Sequence, residues 1–236
     1  MPDQSHDTPI TAIARRTFLS ASLLGGLATG ARGAAVGTTS ARFRGTPPAS
    51  AATPRESRPN HRMLLAFFSR AGENYFYGGR TNLTVGNTER LADMIAARIG
   101  CDTYQIEAAD PYPDDYDATV TRNVEEQDAG ARPRIADPLA SIDQYDVILL
   151  GSPIWNVRPP RIMLTFAESC DLTGKLLVPF TTHAMSGLGT AVSDYTDACP
   201  GARIGEGLAV RGEEVSNAAP DVAAWLHRIG LMTPPN

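Results

Sequence analysis

The stretch Asp146-Val147-Ile148-Leu149-Leu150-Gly151-Ser152-Pro153-Ile154-Trp155-Asn156 does most to determine the fold class. Its first half is a continuous apolar run, which is typical of a strand covered on both faces of a parallel sheet. Its second half contains a glycine, a proline and a tryptophan, which predict a turn at the carboxyl end of that strand. Ligands of parallel α/β sheets bind at such strand ends. This stretch therefore predicts both a central strand and one wall of a binding site.

On both sides of this strand, short apolar runs alternate with segments of helical spacing. We predict strands at 63–68, 103–108, 146–150, 176–181 and 207–210. We predict five helices: one over 88–99, one that ends at 126, one that begins at 159, one over 189–198 and one at 222–229. This alternation, without an internal repeat, is typical of stacked βαβ units. The sequence thus predicts a doubly wound, three-layer α/β/α sandwich with a five-stranded parallel sheet.

The composition excludes several functional classes. The chain has 236 residues, 42% of them hydrophobic, and a formal net charge of −5. A mildly acidic chain is a poor candidate for nucleic-acid binding, which normally uses a basic surface. Three scattered cysteines are too few for a zinc site or a disulfide scaffold. Because no apolar run reaches the roughly 18 residues that a spanning helix requires, we expect no membrane span.

The first sixty residues indicate an export signal and a tether. The run Ala14-Arg15-Arg16-Thr17-Phe18-Leu19-Ser20 precedes a weakly apolar segment of small residues, the layout of an export signal. It resembles a twin-arginine signal, and the alternative is a chance Arg-Arg pair before a buried helix. We predict a signal peptide over 1–35, a disordered linker over 36–60 and a domain over 61–236. The expected location is periplasmic, cell-wall or extracellular.

The loop after the first strand contains a candidate phosphate site. It begins at Ser69 and ends at Val85-Gly86-Asn87-Thr88-Glu89, directly before a predicted helix. The start of a helix presents unpaired backbone N–H groups, which suit an anion. A glycine lets the backbone approach closely, and Asn87, Thr88 and Ser69 add side-chain donors. The alternative, which this loop alone favours, is simple capping of the helix by Asn87 or Thr88.

Two further loops follow the third and fourth predicted strands. Trp155 in the first of them could stack on a flat heterocycle or anchor the core. The second is Thr181-Thr182-His183-Ala184-Met185-Ser186-Gly187-Leu188-Gly189. Its glycines allow backbone amides to approach a ligand, and His183 and Ser186 add polar contacts. A single histidine is more often structural than functional, so both interpretations of His183 remain open.

From Met63 to its C-terminus the chain resembles the flavodoxin family, with the motifs in the same order. The family's phosphate loop, opened by an insertion, looks like the segments 68–74 and 85–88. Its second flavin loop looks like Leu150-Gly151-Ser152-Pro153-Ile154-Trp155. The residues that lead into its third flavin loop look like Leu172-Thr173-Gly174-Lys175 followed by 178–183. The resemblance implies strand order 2-1-3-4-5 and non-covalent FMN at the topological switch point. The implied cofactor-binding residues are Ser69, Arg70, Ala71, Gly86, Asn87, Thr88, Pro153, Ile154, Trp155, Asn156, Thr182, His183, Ser186, Gly187 and Gly189.

Two features depart from the family pattern. Val85 stands where the family has a hydroxyl residue, so a phosphate donor is missing unless Thr84 or Arg70 replaces it. The insertion 70–84 contains Tyr75-Phe76-Tyr77, which would either cover the flavin or pack on the surface.

The resemblance implies a redox function, in which the bound flavin accepts electrons from a donor. It then passes them to a redox partner protein or to a small-molecule acceptor. No catalytic side chain and no metal are expected. The first alternative is an FMN-dependent NAD(P)H:quinone or nitro-compound reductase. The second is a flavodoxin-fold binding module that has lost the cofactor.

Two smaller features have open interpretations. The acidic segment 110–117 is expected to be a solvated loop, or else an electrostatic docking patch for a basic partner. Cys170 and Cys199 follow neighbouring predicted helices, and export would permit a disulfide between them.

Overall fold

A parallel sheet forms the centre of residues 62–232, the part of the chain that this computed structural model describes. The elements are β1 (Met63–Phe67), β2 (Gly72–Phe76), β3 (Gly79–Leu83), α1 (Asn87–Ala96), β4 (Asp102–Gln105), α2 (Tyr116–Asp128), β5 (Val147–Pro153), α3 (Arg161–Ser169), β6 (Leu176–His183), α4 (Ala191–Ala198), β7 (Arg203–Ile204), β8 (Leu208–Arg211), a 3₁₀ helix (Gly212–Asn217) and α5 (Ala219–Arg228). The predicted signal peptide and linker lie outside the described residues.

The strand order confirms the predicted fold class. The strands run β4-β1-β5-β6, and β7 and β8 both pair with β6 on its free side. All pairs in this sheet are parallel, with Phe67 opposite Gly151 and Gly151 opposite Phe180. The predicted fifth strand is a two-part edge: β7 pairs with the start of β6 and β8 with its end. Taken as one position, this edge gives the order 2-1-3-4-5.

Helices cover the two faces of the sheet and form two separate hydrophobic cores. One core contains the inward faces of α3 and α4, with Phe166 and Tyr195 fully buried. The other contains the inward faces of α1 and α5, with Ile95 and Trp225 fully buried. The fold is therefore the predicted three-layer sandwich. Among residues 62–232, no helix combines the length and the apolar character needed to cross a membrane.

The predicted insertion after β1 is a β-hairpin. Strands β2 and β3 pair antiparallel, from Gly72 opposite Leu83 to Phe76 opposite Gly79. Tyr77 and Gly78 form its tip with φ of 45° and 86°, and positive φ at both positions is what a tight two-residue hairpin turn requires. The hairpin was not predicted, because its polar strands lack a clear apolar alternation.

Cys170 and Cys199 are free thiols in the structure, so the disulfide that export would permit is not formed here. Cys199 is buried and its Sγ donates to the carbonyl of Ala167 at 3.6 Å. Burial raises the pKa of its thiol to about 11. This thiol is therefore protonated and unreactive at neutral pH.

Candidate functional site

A cleft of about 270 Å³ opens at the carboxyl edge of the sheet. The ends of β1, β5 and β6 form its floor, and the hairpin, α2 and the start of the 3₁₀ helix form its walls. Of the site residues predicted from the sequence, those that line it are Ser69, Arg70, Asn87, Thr88, Pro153, Ile154, Trp155, Asn156, Thr182, His183 and Ser186. The residues that line it but are not among the individually predicted cofactor-binding residues are Asn74, Tyr75, Tyr116, Thr119, Val120, Asn123, Val157, Ala184, Met185, Gly212 and Glu213.

The N-terminus of α1 faces this cleft without a side-chain cap. Gly86 occupies the N-cap position, and its own residue type offers no capping group. Ser69 Oγ accepts a hydrogen bond from the backbone N–H of Glu89 at 3.1 Å. Within residues 62–232, no hydrogen bond uses the N–H groups of Asn87 and Thr88. The alternative that Asn87 or Thr88 caps the helix is therefore wrong, and two amides at its positive end are available to an anion.

Gly86 allows the two halves of the first loop to meet. A Cβ at position 86 would lie 2.2 Å from Ser69 Oγ and 2.6 Å from the carbonyl oxygen of Arg70. Such separations are far below van der Waals contact, so only glycine fits while Ser69 bonds to the helix. Gly86 does not line the cleft itself, and its role is to permit the close approach.

A buried hydroxyl pair joins α1 to the end of β6. Thr88 Oγ1 and Thr182 Oγ1 lie 2.7 Å apart, and both residues are buried. Because this bond connects the first and third predicted loops, it fixes the helix start relative to the sheet. The sequence predicted both residues as ligand contacts, and the structure shows that they also bond to each other.

Arg70 holds the base of the hairpin to the loop before α2. Its guanidinium donates to the carbonyl oxygens of Glu73, Pro113 and Asp114, the last two at 2.9 Å. Burial is the main cause that lowers the pKa of Arg70 from its ordinary value. Both terminal nitrogens bond to carbonyl oxygens, whereas the buried Nε has no hydrogen-bond partner among residues 62–232. That Arg70 supplies the phosphate donor that Val85 lacks stays a prediction. Thr84 is exposed and lies outside the cleft lining.

Trp155 is both a core anchor and a wall of the cleft. Its ring makes edge contacts with Phe68 and Tyr112, at centroid distances of 5.6 and 5.2 Å. Its backbone forms a reciprocal pair of hydrogen bonds with Arg158. Trp155 therefore has a fixed position at the end of β5. Its role as a core anchor is confirmed, and its stacking on a flat heterocycle stays a prediction.

Helix α2 contributes a wall that the sequence did not predict. Tyr116, Thr119, Val120 and Asn123 lie along one side of it and line the cleft. Thr119 and Asn123 are buried although they are polar. Asn123 Oδ1 accepts from Gln127 Nε2 at 3.2 Å. The sequence contained only a weak indication of this wall, because polar residues occupy the helical positions that are apolar in a helix packed on a core.

The loop after β6 has fewer cleft residues than predicted. Ala184, Met185 and Ser186 line the cleft, whereas Gly187 and Gly189 do not. Both glycines have positive φ, and a Cβ on Gly189 would lie 2.3 Å from the carbonyl oxygen of Val157. Ala71 is likewise absent from the lining. These glycines shape the loop against the chain after β5, and their predicted ligand contacts stay predictions.

His183 is a neutral residue of the cleft wall. Its Nδ1 is buried without a hydrogen-bond partner. Burial first, and the nearby Arg211 second, lower the pKa of His183 from its ordinary 6.5, against the opposite effect of Glu213 and Glu214.

This lowered pKa predicts a pH dependence of stability. Below pH 6.5 the unfolded chain protonates this side chain more readily than the folded chain, so His183 makes the free energy of unfolding fall as the solution becomes more acidic. We expect His183→Gln to weaken this fall. Urea denaturation of both proteins at several pH values measures this fall. If the free energy of unfolding changed with pH equally in both proteins, the prediction would be contradicted. His227→Gln is the matched control.

The start of the 3₁₀ helix places a buried carboxylate beside the cleft. The Glu213 side chain is 1% exposed, and its Oε1 accepts from the backbone N–H of Tyr77 at 3.1 Å. Within the described part of the chain its Oε2 has no hydrogen-bond partner, and it lies 3.8 Å from Arg211 Nε. The sequence Arg211-Gly212-Glu213-Glu214 looks like a solvated charged turn, which is why Glu213 was not predicted.

The aromatic residues of the hairpin divide between the two predicted roles. Tyr75 lines the cleft. Phe76 and Tyr77 are exposed at the tip and contact each other edge to face at 4.9 Å. One aromatic ring therefore covers the cleft, and the other two lie on the surface.

The acidic segment 110–117 has structural partners. Asp115 caps α2 by accepting from the N–H of Ala118 at 2.7 Å. Asp110 and Asp117 form ion pairs with Arg122 and Arg80. The segment is thus an ordered edge of the cleft rather than only a solvated loop. Among the residues described, no three metal-ligating side chains come together.

Comparison with known proteins identifies the family. The family model described as Flavodoxin matches residues 81–229. No curated protein is similar enough to the chain to count as a match.

Two flavoproteins of known structure share the fold, and a third solved structure is also similar to this chain. A proposed flavoprotein from Bacteroides uniformis is 30% identical, with a TM-score of 0.58, 71% of this chain covered and 98% of that one. A second from Bacteroides eggerthii is 31% identical, with a TM-score of 0.57 and coverage of 72% and 99%. A flavoprotein from Lactobacillus acidophilus, solved in complex with FMN, is 21% identical, with a TM-score of 0.47 and coverage of 66% and 97%.

Proposed function

Because this chain belongs to the flavodoxin family, we propose that it binds FMN non-covalently in the cleft and transfers electrons through the bound flavin. The isoalloxazine ring of FMN supplies the redox chemistry, while the protein sets its position, its hydrogen bonds and its exposure to water. The family match supports the cofactor predicted from the sequence.

The start of α1 carries this proposal. The free amides of Asn87 and Thr88 and the hydroxyl of Ser69 converge where the helix dipole is positive. Gly86 permits the close approach of Ser69 to the helix start, which any larger residue would prevent. These groups would hold the phosphate of FMN. Val85 leaves this set one hydroxyl donor short of the family pattern, and the available amides support phosphate binding without it.

The remaining loops would hold the flavin ring. The segments 153–156 and 182–186 line the cleft beyond the helix start. Trp155 is fixed by Phe68 and Tyr112, so it offers a wall that does not have to be ordered when a ligand binds. No acid or base is required of these residues for electron transfer, and His183 is assigned a contact role.

A visible spectrum of the purified protein tests the proposal. We expect flavin absorption bands that dithionite bleaches, and a colourless preparation is expected to bind added FMN and to melt at a higher temperature. A protein that stays colourless in excess FMN, with an unchanged melting temperature, would contradict it. That outcome would favour the binding module that has lost its cofactor.

A reductase is the second candidate, and the rim of the cleft favours it. Val120, Val157 and Met185 line the cleft with exposed apolar side chains. Such a rim suits an apolar substrate, for example a quinone. Steady-state turnover of NADH or NADPH with a quinone or nitro compound would support the reductase, whereas photoreduced flavin that passes electrons to a redox protein without such turnover would support the carrier.

Export by a twin-arginine route is part of the proposal, supported by Arg15-Arg16 and the weakly apolar segment after them. The donor, the redox partner or the small-molecule acceptor would then lie outside the cytoplasm. Replacing Arg15 and Arg16 by lysine in the full chain is expected to retain the protein in the cytoplasm, which cell fractionation measures. Unchanged export would contradict this route.

A further inference from the structure

Glu213 is a buried carboxylate with one oxygen used and one oxygen free. The N–H of Tyr77 bonds to Oε1, whereas Oε2 has no hydrogen-bond partner. Arg211 forms an ion pair with it: Nε is 3.8 Å from Oε2 and has no hydrogen bond to any residue in 62–232. A buried carboxylate oxygen without a donor is costly, so its retention beside the cleft needs an explanation.

The bond to Tyr77 fixes the hairpin at the far end from its base. Arg70 holds the base through carbonyl oxygens of the loop before α2. At the tip, Tyr77 donates to Glu213, and the Arg211 guanidinium lies 5.9 Å from the Tyr77 ring centre. The hairpin is thus attached on both sides of the cleft, and Tyr75 between these attachments faces it.

The position of Glu213 in the cleft determines which part of a bound ligand lies next to it. Its neighbour Gly212 lies against Asn87, since a Cβ on Gly212 would be 2.7 Å from Asn87 Nδ2. Glu213 therefore lies on the same side of the cleft as the start of α1, where the phosphate would bind. Trp155 belongs to the loop after β5, where the ring would bind.

A carboxylate only accepts hydrogen bonds. A phosphate at neutral pH offers few protons, but the sugar-alcohol chain that follows it in FMN carries several hydroxyl donors. His183 Nδ1, a second buried polar atom without a partner, lines the same cleft. The chemistry that satisfies both atoms is that of a polyhydroxyl chain.

We propose that Glu213 links the hairpin to the cofactor, with Oε1 held by the N–H of Tyr77 and Oε2 accepting a hydroxyl proton from the sugar-alcohol chain of the ligand. The carboxylate is then a positioning residue that keeps the hairpin closed over the bound chain. This inference rests on the proposed FMN site and assigns a role to a residue outside the loops that the resemblance supplied.

Glu213→Gln tests the link, because an amide accepts at only one of its two ends. The NH₂ group of glutamine would face either the Tyr77 N–H, donor against donor, or the ligand hydroxyl, where the hydroxyl would have to accept and the charge-assisted hydrogen bond to the carboxylate is lost. Glu214→Gln is the matched control: it removes the same charge from the same Arg211, 3.9 Å from Glu214 Oε1, but Glu214 has no hairpin bond and does not line the cleft.

Titration of each full-length apoprotein with FMN, followed by flavin fluorescence, gives the affinities. We expect Glu213→Gln to bind FMN about tenfold or more weakly than Glu214→Gln, a loss typical of one hydrogen bond to a charged group. We also expect faster hydrogen exchange at the Tyr77 amide of the Glu213→Gln apoprotein. Equal FMN affinities of the two variants would overturn the link to the cofactor, and unchanged exchange at Tyr77 would overturn the hold on the hairpin. A wild type that binds no FMN would instead refute the proposed function.

Discussion

Replacing Gly86 by alanine is expected to weaken FMN binding about a hundredfold or more, the loss of one or two charge-assisted hydrogen bonds. The backbone of Gly86, with φ −65° and ψ 152°, is open to alanine, so the effect does not come from backbone strain. It comes from the new methyl group, which would lie 2.2 Å from Ser69 Oγ. Ser69 must then leave the start of α1, and the phosphate donors separate.

The Gly86→Ala protein is also expected to lose about 1–3 kcal/mol of unfolding free energy, the usual cost of overpacking. Gly100→Ala is the matched control, because a Cβ there meets no atom within 4 Å. Gly100 follows the same helix, α1, at its other end. Fluorescence titration with FMN and urea denaturation of both variants give the two quantities. If Gly86→Ala bound FMN as tightly as Gly100→Ala, the close approach would have no role in binding.

Trp225→Ala is expected to lower the free energy of unfolding by about 3–5 kcal/mol. Trp225 is fully buried on α5, in the core that α1 shares. Its Nε1 donates to the carbonyl oxygen of Glu206 at 2.9 Å, so the truncation leaves a large cavity and an unpaired carbonyl. Since a domain has only about 5–15 kcal/mol in total, this single change removes a large share of it.

Trp225→Phe separates the two contributions. It keeps most of the buried volume and loses the indole N–H, so we expect a smaller cost, about 1–3 kcal/mol for the unpaired carbonyl. Urea denaturation of both variants measures the difference, and the comparison requires the same slope of unfolding free energy against urea concentration in each. A loss below about 1 kcal/mol in Trp225→Ala would show that α5 contributes little to the stability of the sheet.

The strands of the central sheet were predictable because each depends on its own residues. The run from Val147 to Leu150 is apolar throughout, and the structure buries all of it. The order of the strands came from the family resemblance. The edge strand was predicted at 207–210, and β8 begins at Leu208. The other part of this edge, β7, is only two residues long and has no sequence pattern of its own.

The site was predictable where a loop directly follows a strand. The loops after β1, β5 and β6 supplied the residues at the floor of the cleft, because the sheet brings the carboxyl ends of its strands together. Its walls depend on contacts distant in sequence. Which of the three hairpin aromatics reaches the cleft depends on the pairing of β2 with β3, and the sequence left that choice open. Glu213 bonds to the hairpin tip, which is 136 residues away along the chain, and that contact leaves no local signal.

The hairpin divides the anion cradle between two distant points of the chain, Ser69 before it and Gly86 after it. The entropy of closing such a segment grows only slowly with its length, by about 0.6 kcal/mol for each doubling. As long as both ends meet at the helix start, the intervening residues are open to replacement by longer or shorter segments at little thermodynamic cost. A chain of this fold can therefore gain or lose a cover at this position without rebuilding the sheet beneath it.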